Sequence, residues 1–259
     1  MKPVALITGA SAGIGAELAR VFAKHGHELV LVARREDRLI ALADEIAAGR
    51  PRPTVLAIDL EQRDAAARIA AELSSRGLEP AIVVNNAGFG LAGAAAALDR
   101  DEQLGMIDLN IRALTELSLN FVDSLARHRG GILNVASVAA FLPGPGMAVY
   151  YASKAYVLSF SEALHRELSE RGARVTALCP GPVPTEFQAR AGLSLPAAAR
   201  LLELSAERVA QIGYDAFMAG QRVVIAGIGN RIVVSLMRLV PHALLLRLVD
   251  QTRAAGAEK

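Results

Sequence analysis

Tyr150 and Lys154 stand four residues apart in the run Tyr150-Tyr151-Ala152-Ser153-Lys154. On a helix that spacing projects both side chains from one face, a turn apart. A free phenol ionises near pH ~10, and a neighbouring cation favours its anion, so Lys154 is expected to lower the pKa of Tyr150. A tyrosine tuned in this way can protonate an alkoxide or deprotonate an alcohol, as carbonyl–alcohol interconversion by hydride transfer requires. Ser137 lies thirteen positions before Tyr150, where its hydroxyl can bond a substrate oxygen on which charge develops. Tyr151 is the competing phenol. It points about 100° away around the helix and meets Ala155 a turn later, so it is assigned to packing. Taken singly, each of these residues has an ordinary structural explanation. A shared site is what would give them joint roles.

The elements that must carry them follow from the hydrophobic pattern. Short apolar runs alternate with segments of helical period, the signature of a parallel sheet covered by helices. Strands are expected over Val4–Thr8, Glu28–Ala33, Thr54–Ile58, Ala81–Val84, Gly131–Ala136 and Arg174–Leu178, with a seventh over Arg222–Ile225. Helices are expected over Gly13–His25, Asp37–Ala48, Gln62–Arg76, Asp101–Arg127 and Tyr150–Glu170. The expected fold is a single α/β domain over residues 1–259, a doubly wound Rossmann-type and mostly parallel sheet of about seven strands with helices on both faces. Ser137 then ends a strand at the edge where such sheets place ligands. Residues 189–205 have no strand pattern and read either as a substrate lid or as a plain surface connection.

Between the first strand and first helix runs Thr8-Gly9-Ala10-Ser11-Ala12-Gly13-Ile14-Gly15. Glycines there permit a tight turn and let backbone N–H groups approach a pyrophosphate at the helix N-terminus. The second strand ends in Ala33-Arg34-Arg35 rather than in the carboxylate that would hold an NAD ribose. A guanidinium can clasp a 2′-phosphate, so NADP(H) is the expected cofactor with Arg34 as its ligand, and NAD, through Glu36 or Asp37, the lesser alternative.

These motifs together resemble the short-chain dehydrogenase/reductase family, in its compact branch, over roughly residues 3 to 190. The likeness rests on Thr8-Gly9-x-x-x-Gly13-x-Gly15, Asp59-Leu60, Asn85-Asn86-Ala87-Gly88, Asn110, Ser137, Tyr150-x-x-x-Lys154 and Pro180-Gly181 in that order. The resemblance implies that Gly9, Ser11, Gly13, Ile14 and Gly15 cradle the cofactor and that Asp59 and Leu60 meet its adenine. Asn86, Ala87 and Gly88 would line the crevice, while Pro180, Gly181, Val183 and Thr185 seat the nicotinamide side. It further implies that Lys154 holds ribose hydroxyls and that Asn110 helps hold a water continuing a proton relay from Lys154 to solvent. Cys179 stands where many members have asparagine. The final-strand region, Val223 to Gly229, departs from the usual pattern through which many relatives make quaternary contacts.

Bulk properties exclude other classes. A net charge of +2, from 28 basic and 26 acidic residues, provides no footprint for nucleic acid. The single cysteine permits no internal disulfide and suits a reducing compartment, so a cytoplasmic location is expected. The first apolar run stops at Thr8, too soon for a secretory signal. The five histidines match no ligand spacing, and no metal is expected. Val138 to Met147 forms an apolar stretch between two candidate catalytic residues and, with Phe89 and Phe187, suggests an apolar small-molecule substrate. Residues 231–259 are apolar but broken by Arg238, Pro241, His242 and Arg247, which argues against a transmembrane span. A helix packed on the domain, a contact in a homo-oligomer and a segment lying on a membrane surface remain open for them. The expected function is an NADP(H)-dependent oxidoreductase acting on a carbonyl or alcohol with Tyr150 as acid/base. The alternatives are a non-catalytic NADP(H)-sensing protein and a membrane-surface reductase of 3-oxoacyl lipids.

Overall fold

The structure, a computed structural model, describes residues 1–192, 197–237 and 240. Seven strands form one sheet in the order β3-β2-β1-β4-β5-β6-β7. They are β1 Lys2–Thr8, β2 Leu29–Ala33, β3 Thr54–Ala57, β4 Leu78–Asn85, β5 Gly131–Val135, β6 Arg174–Cys179 and β7 Val223–Ile225. Every adjacent pair is parallel. The order reverses direction between β1 and β4, which opens a crevice beyond the carboxyl ends of those strands.

Alternation along the strands explains why both faces are apolar. Ala5 and Ile7 of β1 join Leu29, Leu31 and Ala33 of β2 on one face. Val4, Leu6, Val30 and Val32 point to the other. The first face is covered by α1 (Gly13–Lys24), α2 (Glu36–Ile46) and α10 (Ala206–Met218), through side chains such as Leu18, Phe22, Leu39 and Phe217. The second is covered by α3 (Ala65–Ser75), α5 (Leu114–Asn120) and α7 (Ala148–Ser169), through Ile69, Leu73, Leu117 and Leu164. A buried polar ladder ties this second layer down. Asn85 Nδ2 donates to Asn134 Oδ1 at 2.9 Å and Ser118 Oγ at 3.0 Å, and Asn134 Nδ2 donates to Ser161 Oγ at 2.9 Å. It links β4 and β5 to α5 and α7, so α7 has a fixed height above the sheet.

Two elements differ from the sequence pattern. The fourth strand begins at Leu78, ahead of Pro80, because a register shift between Val4 and Ala5 absorbs the proline's missing donor. The helix expected over Asp101–Arg127 is broken. Helix α4 (Arg100–Ile107), capped by Asp99 accepting from Glu102 N at 2.8 Å, passes into a π-helical turn over Asp108–Ala113. Then come α5 and, after a break at Phe121, α6 (Val122–Arg127). The π turn carries Asn110, whose side chain bonds Phe89 and Ser153 of other segments, and such bulges are frequent at functional sites.

Of the late segments, α8 (Glu186–Arg190) and α9 (Ala197–Arg200) fall within or beside the stretch read as a lid. Helix α11 (Ile228–Met237) buries Asn230 and Val234 while leaving Ile228, Ile232 and Leu236 exposed. Apart from residue 240, the tail beyond 237 lies outside the described residues. Among those described, no helix is long and apolar enough to cross a membrane, and no group of three ligating side chains could hold a metal.

Candidate active site

A cleft of about 1040 Å³ lies over the carboxyl ends of the central strands. At its base is the glycine turn between β1 and α1. Gly9 and Gly13 have φ of +65° and +55°, a region that favours glycine. A Cβ on Gly9 would stand 2.7 Å from Asn86 Nδ2 and 2.9 Å from Ala87 Cα. Asn86 is the clamp: its Nδ2 donates to the carbonyls of Thr8 (3.0 Å) and Gly9 (3.3 Å). Thr8 Oγ1 in turn accepts from the N–H groups of Asn86 and Ala87. The α1 N-cap, Ala12, has no side-chain cap, so the first-turn N–H groups face the cleft. This bare cradle fits the phosphates of a dinucleotide.

Nearly every residue singled out in the sequence lines this cleft: Gly9, Ser11, Gly13, Ile14, Arg34, Asp59, Leu60, Asn86, Ala87, Gly88, Ser137, Tyr150, Lys154, Pro180, Gly181, Val183 and Thr185. Gly15 and Asn110 do not; both stand behind the surface. Gly15 packs against the Gly9 carbonyl and Asn86. Asn110 is buried, its Nδ2 donating to Phe89 O (3.0 Å) and Ser153 Oγ (3.0 Å) while its Oδ1 accepts from Phe89 N (3.1 Å). Both amide donors are therefore occupied, and the second lone pair of Oδ1 is what the side chain has left for a water.

At the end of β2 the two arginines divide. Arg34 NH1 donates to Glu61 Oε1 at 3.2 Å and lies 3.9 Å from Asp59 Oδ2. Arg35 holds Ser11 Oγ through Nε and NH2, at 3.3 and 3.1 Å, and Glu186 at 2.7 Å. Both line the cleft, whereas Glu36 and Asp37 do not.

Helix α7 begins at Ala148, which puts Tyr150 in its first turn and Lys154 a turn deeper. Ser137 caps a 3₁₀ turn over Val138–Phe141 by accepting from Ala139 N, and its hydroxyl faces the Tyr150 phenol closely enough to favour the phenolate. Lys154 Nζ donates to Val135 O at 2.9 Å and lies 5.9 Å from the centre of the Tyr150 ring. Here the structure corrects the expectation that the lysine lowers the tyrosine pKa. Burial dominates both groups: it pushes Tyr150 up to about 12, against a smaller lowering by Ser137, and holds Lys154 down to about 8.

Tyr151 is more than packing. Its ring fills the space where Gly144 has no side chain, a Cβ there lying 2.6 Å from Cδ1, yet it also lines the cleft. Of the apolar stretch after Ser137, Val138, Ala139, Leu142 and Met147 face the cleft, while Phe141 packs on the core beneath α7. Phe89 and Phe187 join the lining, with Phe187 5.3 Å from the Tyr150 ring. Glu61, Arg190 and Asn230 were not read from sequence. Asn230 on α11 fills the space beside Gly181, where a Cβ would lie 2.5 Å from its Cγ. No motif marks a buttress that comes from so far along the chain.

Residues 3–194 match the profile of short chain dehydrogenases. The chain belongs to that family. It is an oxidoreductase of the dehydrogenase/reductase type, with the family's parallel sheet and nucleotide-binding crevice. Sulfoacetaldehyde reductase 2 of Chromohalobacter salexigens is 38% identical over 190 residues, 72% of this chain and 75% of that protein. A short-chain dehydrogenase from Sphingobium yanoikuyae, solved with NADPH, superposes with a TM-score of 0.78 at 32% identity, covering 93% of this chain and 97% of the other. The bulky-bulky ketone specific alcohol dehydrogenase from Comamonas testosteroni gives 0.76 at 30% identity, covering 94% and 96%.

Proposed function

We propose that this dehydrogenase reduces a carbonyl group of an apolar substrate, or oxidises the matching alcohol, with NADP(H) as cofactor. The observation that carries the reading is the convergence of Ser137, Tyr150 and Lys154 on one cleft that Arg34 and Arg35 also line. When bound, the dinucleotide supplies or accepts the hydride. Ser137 donates its hydroxyl hydrogen to the substrate oxygen as negative charge builds there. Tyr150, whose raised pKa keeps it protonated at neutral pH, gives that oxygen its proton in the reducing direction. Lys154, on the same helix face, stabilises the phenolate left behind and holds ribose hydroxyls. Asn110 keeps Phe89 and Ser153 in place beside it and orders a water that returns a proton to the pair.

The cofactor preference is supported by charge. Cations, not Glu36 or Asp37, line the cleft at the end of β2. The apolar substrate is supported by Leu142, Met147, Tyr151 and Phe187 around Tyr150 and by the likeness to a bulky-ketone dehydrogenase. The single cysteine, buried, supports a cytoplasmic setting, and exposed Leu104, Ile107 and Leu119 support a homo-oligomer.

Following NADPH absorbance with apolar ketones and long-chain 3-oxoacyl compounds tests the activity. Turnover on the apolar ketones is expected. Tight NADPH binding without turnover on any of them would favour a sensor instead. Arg34→Ala is expected to raise the KM for NADPH and not for NADH; an unchanged NADPH KM would refute the cofactor assignment.

A further inference from the structure

Helix α8 sets three side chains against three parts of the cleft. Glu186 reaches Arg35 at 2.7 Å and also bonds Arg38. Phe187 lies against Tyr150. Arg190, a turn after Glu186, lays its guanidinium 4.0 Å over the ring of Phe89. One contact is thus to the segment after β2, one to the chemical end, and one to the residue that follows Asn85-Asn86-Ala87-Gly88. The glycine cradle lines the same cleft.

Arg190 differs from its neighbours. Arg34 is paired with Glu61 and Arg35 with Glu186, but among the described residues Arg190 makes no ion pair or hydrogen bond. It rests on an aromatic face instead, a contact that fixes the guanidinium plane and leaves its five donors without a partner among the described residues. The platform is rigid, since Phe89 is buried and both its backbone groups are held by Asn110. Besides burial, which lowers the pKa of Arg190 most, the Arg34 cation lowers it further while Glu61 and Glu102 oppose. Guanidiniums facing one another across a cleft repel, and an anion between them turns that repulsion into attraction.

We infer that Arg190 is an anion-binding residue for the dinucleotide, gripping its phosphoryl oxygens from α8 while Arg34 and Arg35 grip from the turn after β2. The inference deepens the NADP(H) reading above and rests on it. Because Arg190 and Phe187 share α8, the same grip sets Phe187 beside Tyr150 and couples cofactor occupancy to the shape of the substrate end.

The test is a titration of wild type, Arg190→Gln and Arg190→Lys with NADPH, NADH, 2′,5′-ADP and ADP. Arg190→Gln is expected to weaken NADPH about tenfold, the size of one hydrogen bond to a charged group. Arg190→Lys should recover part of the loss, and neither variant should change Tm. A loss with NADPH and 2′,5′-ADP only places the contact on the 2′-phosphate; a loss with all four places it on the phosphates both cofactors share. Unchanged affinity for every probe overturns the inference, and so does a rise confined to the substrate KM. A loss that the lysine variant does not relieve and that comes with a lower Tm marks a structural role and also overturns it. If instead Arg34→Ala leaves NADPH affinity intact while Arg190→Gln weakens all four probes, the NADP(H) preference fails and the grip stands.

Discussion

Replacing Gly15 by alanine should damage the cofactor cradle from behind. Gly15 is not on the cleft surface, but a Cβ there would lie 2.8 Å from the Gly9 carbonyl carbon and nearer still to its oxygen and to Asn86 Nδ2. Two of these are backbone atoms, and the third ends a side chain held by two carbonyls. The glycine turn is held by Asn86, and Asn86 by Thr8 and Gly9. Forcing a methyl into such a site costs about 1–3 kcal/mol. Pulling Asn86 off two carbonyls costs about 1 kcal/mol for each hydrogen bond. The better helix propensity of alanine returns about 1 kcal/mol. A net loss of about 3 kcal/mol corresponds to a fall in Tm of about 6–12 °C for a chain of this size. NADPH affinity should fall with it, because the displaced Gly9 is part of the cradle. The control is Gly26→Ala, at φ +84° with nothing within 4 Å of a Cβ. Only backbone strain of about 1–2 kcal/mol applies there, and NADPH binding should be unaffected. Differential scanning calorimetry and NADPH titration measure both effects. If Gly15→Ala matched wild type in Tm and in NADPH Kd, the packing argument for the cradle would be wrong.

Tyr150→Phe should lower kcat by at least about 100-fold with NADPH binding retained, since only the proton donor is removed; Tyr151→Phe should alter KM rather than kcat. The reverse result in steady-state kinetics would exchange their roles. Ser137→Ala should cost about 10²–10³ in kcat, the usual effect of losing a donor to a developing oxyanion, and a smaller change in single-turnover rate would argue that Ser137 only caps its turn. Burial holds Lys154 at about 8, below its ordinary 10.5. Between those values the unfolded chain binds more protons, so this group makes stability rise with pH across that window. Tyr150, raised from 10.0 to about 12, works the other way above pH 10. Lys154→Met should therefore flatten the rise between about pH 8 and pH 10 in urea unfolding, and an identical slope in both proteins would show that the lysine is not held neutral by burial.

The alternation of apolar strands and amphipathic helices was legible without the structure because it depends on local period. The glycine turn, Ser137 at a strand end and the Tyr150–Lys154 pair were legible for the same reason, since their spacing is measured along a single element or between adjacent ones. The break in the long helix was not. Its residues, Asp108–Ala113, carry no breaker, and the π turn coincides with Asn110 bonding Phe89 and Ser153, which lie far from it in sequence.

Charge and burial set the other limit. Residue type alone favoured a tyrosine made acidic by its lysine. The tertiary structure buries both, and desolvation moves their pKa values in opposite directions. Two adjacent arginines read alike in sequence, yet one pairs with Glu61 and the other with Ser11 and Glu186, partners supplied by separate loops. Arg190 carries no motif at all. It becomes notable because α8 lays it on Phe89, across the cleft from Arg34. By itself the sequence determined which groups could do chemistry and along which elements they lie. Only the tertiary structure decided which charges meet, because electrostatic energy depends on separation and solvent access, and neither is a property of the chain's local order.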